Sequence, residues 1–577
     1  LPDPIPTSSP ADSPAGSPAD SLTDSLTGSF TERKMSIATA LRAAAEAAGD
    51  RPAMIQGDRS IGYTELEARA ARLAGVLSEH GVGVGSTVAI SLYNSFAYLE
   101  TILAAFKLGA QPVNINYRYL APELHYVLDY TDAVAFVYDT GLADQVRRMD
   151  DLPGLNLLME VGSAGEPPAP ALSFEWAAEH GPVHRETDTD SPHGIILLTG
   201  GTTGRPKGVV WDRDGLLGII ASVFRQHGMD APRTPDDVRA RVRELHERFT
   251  APVVLPMSPL IHGTGLLQTL RSLYGGGTIC FCTSKSLDAD EVWRTVQQNA
   301  VTEMVIVGDA FGRPLVDSLA AAQSAGKPYD IGSLRKMTSS GVVWSVGVKR
   351  ELLRHGGDLT LIDNISASEG GPFGMALARS EADLVDGRFT LAPVARVLDE
   401  NDEDITPGTG QIGILASAGP QPVGYLKDPD RTARVWRVID GVRYSAPGDL
   451  ASLDADGRLI LLGRGDGVIN TGGEKVFPEE VEEALLTHPK ITDAVVVGVP
   501  DPRWGQIVTA VVAPASALGD IEDETLSRHV AERLAGYKRP RRIVRVDSLP
   551  RSPAGKINRA SARDVATRHL QAEETAS

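Results

Sequence analysis

Cysteine is nearly absent from this chain: Cys280 and Cys282 are the two thiols in 577 residues. Two thiols cannot staple a protein of this size, so no oxidising compartment is implied. They stand two apart in GGTICFCT, where strand alternation puts both on one face. With no Cys or His neighbour in sequence they read as buried packing, not as a metal site. Long apolar runs are missing too. No stretch reaches 18 apolar residues, so no transmembrane helix is expected. Positive charge is in deficit, with 56 Lys and Arg against 75 Asp and Glu and a formal net charge of -19. Such a balance disfavours general nucleic-acid or anionic-membrane binding, while leaving room for a local basic pocket. What remains is ordinary for a globular protein: 42% hydrophobic and 23% charged residues. That excludes a fibrous or wholly disordered chain. Roughly 150 residues per domain gives about four units, which large α/β domains can merge.

The first 34 residues are rich in Ser, Pro and Asp and hold no Lys or Arg before Arg33. They lack the basic and apolar regions of a signal peptide and read as a disordered leader. Met35 sits where the ordered pattern begins. From Ser36 a helical period runs to Gly49, and a second is expected over RSIGYTELEARAARLAGVLSEHG, stopping on Gly81. TVAISLY (87–93), a helix through AYLETILAAFKLG and a strand at 132–139 continue an α/β order. Past residue 440 the texture becomes glycine-rich with short strands. A compact unit of helix, two strands, helix and strand follows. These patterns predict an α/β protein: a large N-terminal domain (35–465) of mixed sheets flanked by helices, and a small C-terminal α+β domain (466–577). The boundary is expected near Asp466.

The strongest local signal is ILLTGGTTGRPKGVV, residues 195–209. An apolar strand runs into Thr199, Gly200, Gly201, Thr202, Thr203 and Gly204, with Lys207 shortly after. Glycines let backbone N–H groups crowd round an anion, hydroxyls add donors, and Lys207 supplies positive charge. It is not a Walker A loop, because Arg205 and Pro206 separate Gly204 from Lys207.

This string resembles the phosphate loop of the adenylate-forming enzymes: acyl-CoA synthetases, peptide-synthetase adenylation domains and luciferases. The remaining motifs arrive in that family's order. SPLIHGTG (258–265) resembles the next segment, whose histidine, here His262, lies near the carboxylate and acyl pocket. TSSGVVWS (338–345) resembles the segment between acyl pocket and adenine, which implies Gly341 and Val342 at the acyl group or nucleotide; Val342, Val343 and Trp344 fit an apolar wall of the acyl pocket. IDNISASEGG (362–371) resembles the acidic motif: Ser368 keeps a hydroxyl for phosphate and Glu369 an oxygen ligand for Mg²⁺. Ile365 stands where the family carries an aromatic that stacks on adenine, so apolar contact remains and stacking is lost. Asp449 resembles the carboxylate that accepts both ribose hydroxyls, Arg464 an arginine near ribose and phosphate, and Asp466 the hinge, which implies that the small domain is mobile and that the active site lies at the interface of the two domains. NTGGEKVFPEEVEE (470–483) is typical of CoA ligases, implying Gly472 and Gly473 at the pantetheine channel. Glu474 and Lys475 follow with no assigned role. SPAGKINR (552–559) places Lys556 as the mobile lysine of adenylation.

The resemblance implies an ATP-dependent acid–thiol ligase using ATP, Mg²⁺ and CoA. The acid's carboxylate attacks the α-phosphate, pyrophosphate leaves, and a thiol then displaces AMP from the acyl-adenylate. The nucleophile is already ionised, so charge neutralisation by Lys207, Lys556 and a Mg²⁺ held through Glu369 matters more than any general base. VNINYRYLAPELHYVLDYTDA (113–133), VVWDRDG and IVGDAFGRPLVDSL (306–319) resemble actinobacterial fatty- and steroid-acid CoA ligases. A medium- or long-chain fatty acid or a bulky steroid-type acid is therefore expected, with aromatic and short acids left open. The alternative is a standalone enzyme loading an acyl or aryl acid onto a carrier protein's phosphopantetheine. A non-catalytic relative is a third reading, supported by Ile365 alone. A cytoplasmic enzyme is expected, with a homodimer left open. The charged insert DAPRTPDDVRARVRELHERF (230–249) is expected as an exposed helix.

Overall fold

A computed structural model describes residues 35–163, 165, 167, 170–185, 191–200, 206–341, 344–384, 387–464, 468–514, 522–550 and 559–576. Helices cover two large mixed sheets and a small third one. An eight-stranded sheet has His193–Gly200 near its middle, parallel to Gln111–Asn114 on one side and antiparallel to Pro206–Asp212 on the other. Strands Thr87–Ser91 and Ala133–Asp139 extend the parallel side. A fifteen-stranded sheet carries Lys336–Ser340, Thr360–Ala367 and Gly370–Ala378 side by side and runs on to Asp449–Leu453 and Leu459–Arg464. The third sheet is built from Ile469–Thr471, Glu474–Val476, Ile491–Asp501, Gly505–Pro514 and Arg542–Arg545. The α/β expectation thus holds.

Local rules explain most boundaries. Helix Ile37–Ala48 starts on Ser36, whose hydroxyl accepts from Thr39 N–H, and ends at Gly49, whose φ of 65° leaves the helical region. Two expectations need correction. The second helix begins at Tyr63, not Arg59, because Gly57 at φ 57° turns the chain back and Arg59–Gly62 pairs antiparallel with Pro52–Gln56. The insert helix, Pro235–Glu247, is not an exposed rod. Val238, Val242 and Leu245 recur on one face and are buried in the same core cluster as Ala40 and Ala44 of helix Ile37–Ala48.

Cys280 lies in strand Thr278–Phe281 and is buried; Cys282 packs partly buried against the same core cluster. Burial pushes both thiols up to about 12, so they behave as small apolar groups. No helix among the described residues is long and apolar enough to cross a membrane.

Candidate active site

The hairpin His193–Gly200 and Pro206–Asp212 sets Thr199 opposite Lys207 and Gly200 opposite Pro206. Gly201, Thr202, Thr203, Gly204 and Arg205 lie outside the described residues. The approach to the loop is well anchored. Asn114 accepts from Leu198 N–H at 2.8 Å and donates to the carbonyl of Ile261, one residue before His262. Tyr130 accepts from Gly208 N–H and donates to the Leu426 carbonyl.

The acidic turn is tied to that hairpin. Ser368 and Glu369 sit between strands Thr360–Ala367 and Gly370–Ala378. Trp211, at the far end of the hairpin, donates its indole N–H to the Ser368 carbonyl at 3.1 Å. Ser445 donates to the Glu369 carbonyl at 2.6 Å. Tyr425, on a strand paired with the hairpin at Val209, donates to Glu369 Oε1 at 2.8 Å. Glu369 is 5% exposed, and its Oε2 has no hydrogen-bond partner among the described residues. A buried carboxylate oxygen without a partner is costly unless something cationic fills the place. Glu369 therefore fits the Mg²⁺ reading. Ile365 packs against the core cluster around Phe373 and Leu459.

Asp449 and Arg464 end neighbouring antiparallel strands and are direct cross-strand partners. Asp466 lies outside the described residues, as does Lys556. Gly341 follows strand Lys336–Ser340 with φ 94° and open space where a Cβ would stand. Val342 and Val343 are outside the described residues. Trp344 is buried in the core cluster with Leu315, Val316 and Val348, so its ring packs behind this strand end. Its indole N–H finds no partner among the described residues.

The glycine turn of the small sheet reaches into this region. Gly472 (φ 57°) and Gly473 (φ 88°) link strands Ile469–Thr471 and Glu474–Val476. A Cβ on Gly472 would meet the Trp504 ring at 2.7 Å, and one on Gly473 would meet Val307 Cγ1 at 2.9 Å. Neither position admits a side chain without movement. Just beyond, buried Glu474 lies 2.9 Å from Arg118 and 3.5 Å from His262 Nε2, with Asn116 also 3.5 Å away. Burial alone would raise the Glu474 carboxyl, but His262, Arg118 and Lys538 outweigh it and hold it below its ordinary value. A narrow cavity of about 60 Å³ separates Leu198 and Pro206 from His262 and Glu474.

Behind the turn, the small sheet carries a cleft of about 580 Å³ lined by Trp504, Arg539, Arg541 and Arg542 together with the carboxylates Asp501, Asp523 and Glu524. The Arg541 guanidinium lies 4.1 Å from the Trp504 ring centre. Sequence reasoning missed Trp211, Tyr425, Arg118, Glu474 and Trp504. None sits in a local pattern of its own except Glu474, beside the paired glycines.

A family model described as AMP-binding enzyme matches residues 41–425, and its C-terminal domain model matches 480–556. The chain is a member of the AMP-binding enzymes. It is 36% identical to the medium/long-chain-fatty-acid–CoA/3-oxocholest-4-en-26-oate–CoA ligase of Mycolicibacterium smegmatis, covering 92% of this chain and 96% of the relative. The 3-oxocholest-4-en-26-oate–CoA ligase of Rhodococcus rhodochrous matches at the same identity and coverage. Among solved structures, the amide bond synthetase McbA of Marinactinospora thermotolerans superposes with a TM-score of 0.74 at 23% identity, over 92% of this AMP-binding enzyme and 99% of that chain. At that identity the likeness speaks to fold alone.

Proposed function

We propose that this AMP-binding enzyme is an ATP-dependent acyl-CoA ligase that activates an apolar carboxylic acid, a medium- or long-chain fatty acid or a bulky steroid-type acid. The observation that carries the reading is the Gly472–Gly473 turn, in which Gly473 packs on Val307 and the next residue, Glu474, lies 3.5 Å from His262. A backbone-lined turn of that kind suits delivery of a thin thiol arm to an acyl group. The relatives named as fatty-acid and steroid-acid CoA ligases supply the substrate class.

Lys207, Thr199 and the Gly200–Gly204 loop bind the phosphates of ATP in this reading, and Asp449 and Arg464 hold the ribose. Ser368 adds a hydroxyl to the phosphates. Glu369 holds Mg²⁺, which when bound neutralises phosphate charge. Lys556 approaches as the acid's carboxylate attacks the α-phosphate, offsetting the charge that builds on the reacting oxygens. His262 faces the acid, with Gly341, Val342 and Val343 along the acyl path and Trp344 stiffening it from behind. The small part, hinged near Asp466, presents Gly472 and Gly473 to CoA. The cleft beside Trp504 offers guanidinium groups, with Arg541 held against the indole ring, suited to the phosphorylated nucleotide end of that substrate. The enzyme works in the cytoplasm.

The test is pyrophosphate release with ATP and Mg²⁺ across acetate, benzoates, C8 to C18 fatty acids and steroid side-chain acids, with and without CoA. Acid-dependent release from the apolar acids supports the proposal. Release with benzoates alone, or none with any acid, sinks the assigned substrate class.

A further inference from the structure

Lys538 is a buried cation shared between the two parts of the molecule. It ends the short turn Gly536–Lys538 and is 3% exposed. Its ammonium donates to Glu480 at 2.8 Å, on helix Pro478–Leu486 of the small part, and to Glu123 at 2.9 Å, on helix Ala121–Tyr130 of the large part. The same ammonium lies over the rings of Tyr119 (5.1 Å) and Tyr537 (5.7 Å). Glu123 is itself fixed, because its other oxygen accepts from Leu120 N–H at the start of its helix. Three residues earlier, Ala535 of the small part is fully buried in a core cluster of the large part with Val113, Tyr119, Leu124 and Ile196.

Segment 535–538 thus plugs the small part into the large one, and Lys538 closes the plug electrostatically. A buried ammonium is tolerable only while its carboxylates and aromatic faces surround it. Two of those neighbours, Glu123 and Tyr119, belong to the large part. Any rotation that lifts the small part away removes both and uncovers Ala535.

We propose that Lys538, bridging Glu480 and Glu123, is a positioning residue that holds the Gly472–Gly473–Glu474 turn against His262 for acyl transfer to the thiol. This rests on the ligase reading above. The described nucleotide-site residues, from Thr199 and Lys207 to Glu369 and Asp449, belong to the large part. Formation of the acyl-adenylate draws on Lys556 of the small part, not on the glycine turn, and so does not need the bridge; delivery of the thiol does.

The test separates the half-reactions in the full-length enzyme. Glu123→Gln keeps an oxygen for Leu120 N–H but removes one charge from the bridge. Acid-dependent ATP–pyrophosphate exchange is expected to stay within about twofold of wild type. Single-turnover acyl transfer from preformed adenylate to CoA is expected to slow roughly tenfold or more, the size of a shifted two-state balance. Lys538→Met is expected to slow transfer further, and adding Glu123→Gln to it to recover part of that loss by removing an unpaired buried charge. Equal falls in exchange and transfer, or normal transfer in Glu123→Gln, would overturn the proposal. Absence of exchange in the wild-type enzyme would instead overturn the ligase reading.

Discussion

Replacing Gly473 by Ala should separate the two half-reactions. The added methyl has two costs. The first is backbone: φ of 88° is left-handed territory, where an L-residue costs about 1–2 kcal/mol. That cost belongs to the turn itself and is present wherever the small part sits. The second is steric: the new Cβ stands 2.9 Å from Val307 Cγ1, a residue of the large part. Relieving such overpacking costs about 1–3 kcal/mol, and only while the turn is seated. At about 1.4 kcal/mol per tenfold, the steric cost slows acyl transfer to CoA by roughly 5- to 150-fold. Acid-dependent ATP–pyrophosphate exchange should change far less. Adding Val307→Ala removes the opposing methyl and should restore most of the lost transfer. The assay is rapid-quench transfer from preformed adenylate beside steady-state exchange, with a thermal melt to confirm folding. Parallel losses in both half-reactions, or no rescue by Val307→Ala, would refute the reasoning.

Three further outcomes are expected. Tyr425→Phe deprives Glu369 Oε1 of its phenol donor inside a buried turn; at about 1–2 kcal/mol, the Mg²⁺ concentration for half-maximal exchange should rise roughly 5- to 30-fold, read by metal titration. Trp504→Ala removes the ring that Arg541 stacks on and Gly472 packs against; it should raise KM for CoA about tenfold while leaving exchange intact, since a cation–π contact that fixes a guanidinium is worth about 0.5–2 kcal/mol. Glu303 supplies a pH signature. Burial alone would raise its carboxyl, but Arg271 and Lys336 outweigh burial and hold it at about 2, below the ordinary 4.5. A depressed carboxyl stabilises the fold above the unfolded value and loses that contribution as pH falls toward 2; the gap corresponds to about 3 kcal/mol. Glu303→Gln should therefore melt well below wild type at pH 7, and the difference should narrow as pH drops from 4.5 toward 2.

The parts legible from sequence are those whose signal is local. Ser36 and Gly49 announce the ends of the first helix, and alternation announces most strands. Paired glycines at 472–473 announce a turn that only glycine can make, and the structure shows both at positive φ. Cross-strand register was half visible: the motifs point to Asp449 and Arg464 separately, and pairing of their strands makes them register partners. The rest is built by long-range contact. Tyr425 meets Glu369 across 56 positions, Arg118 meets Glu474 across 356, and Lys538 meets Glu123 across 415. No local period encodes such meetings. Arg59–Gly62 went the same way: its residues fit a helix period, and only the turn at Gly57 and the partner strand make it β. The insert at 230–249 misled by composition, because its charges hide three apolar residues that find the first helix. Trp344 follows the residues assigned to the acyl path in sequence, yet its ring packs into the core with Leu315, Val316 and Val348.

The most direct test of the central claim is the product mass after incubation with ATP, Mg²⁺ and either a C12 fatty acid or a steroid side-chain acid. Free CoA is supplied in one arm and a phosphopantetheinylated carrier protein in the other. The expected result is an acyl-CoA mass in the CoA arm, with AMP and pyrophosphate in equal amounts. An acyl-adenylate that persists with CoA but loads the carrier would contradict it.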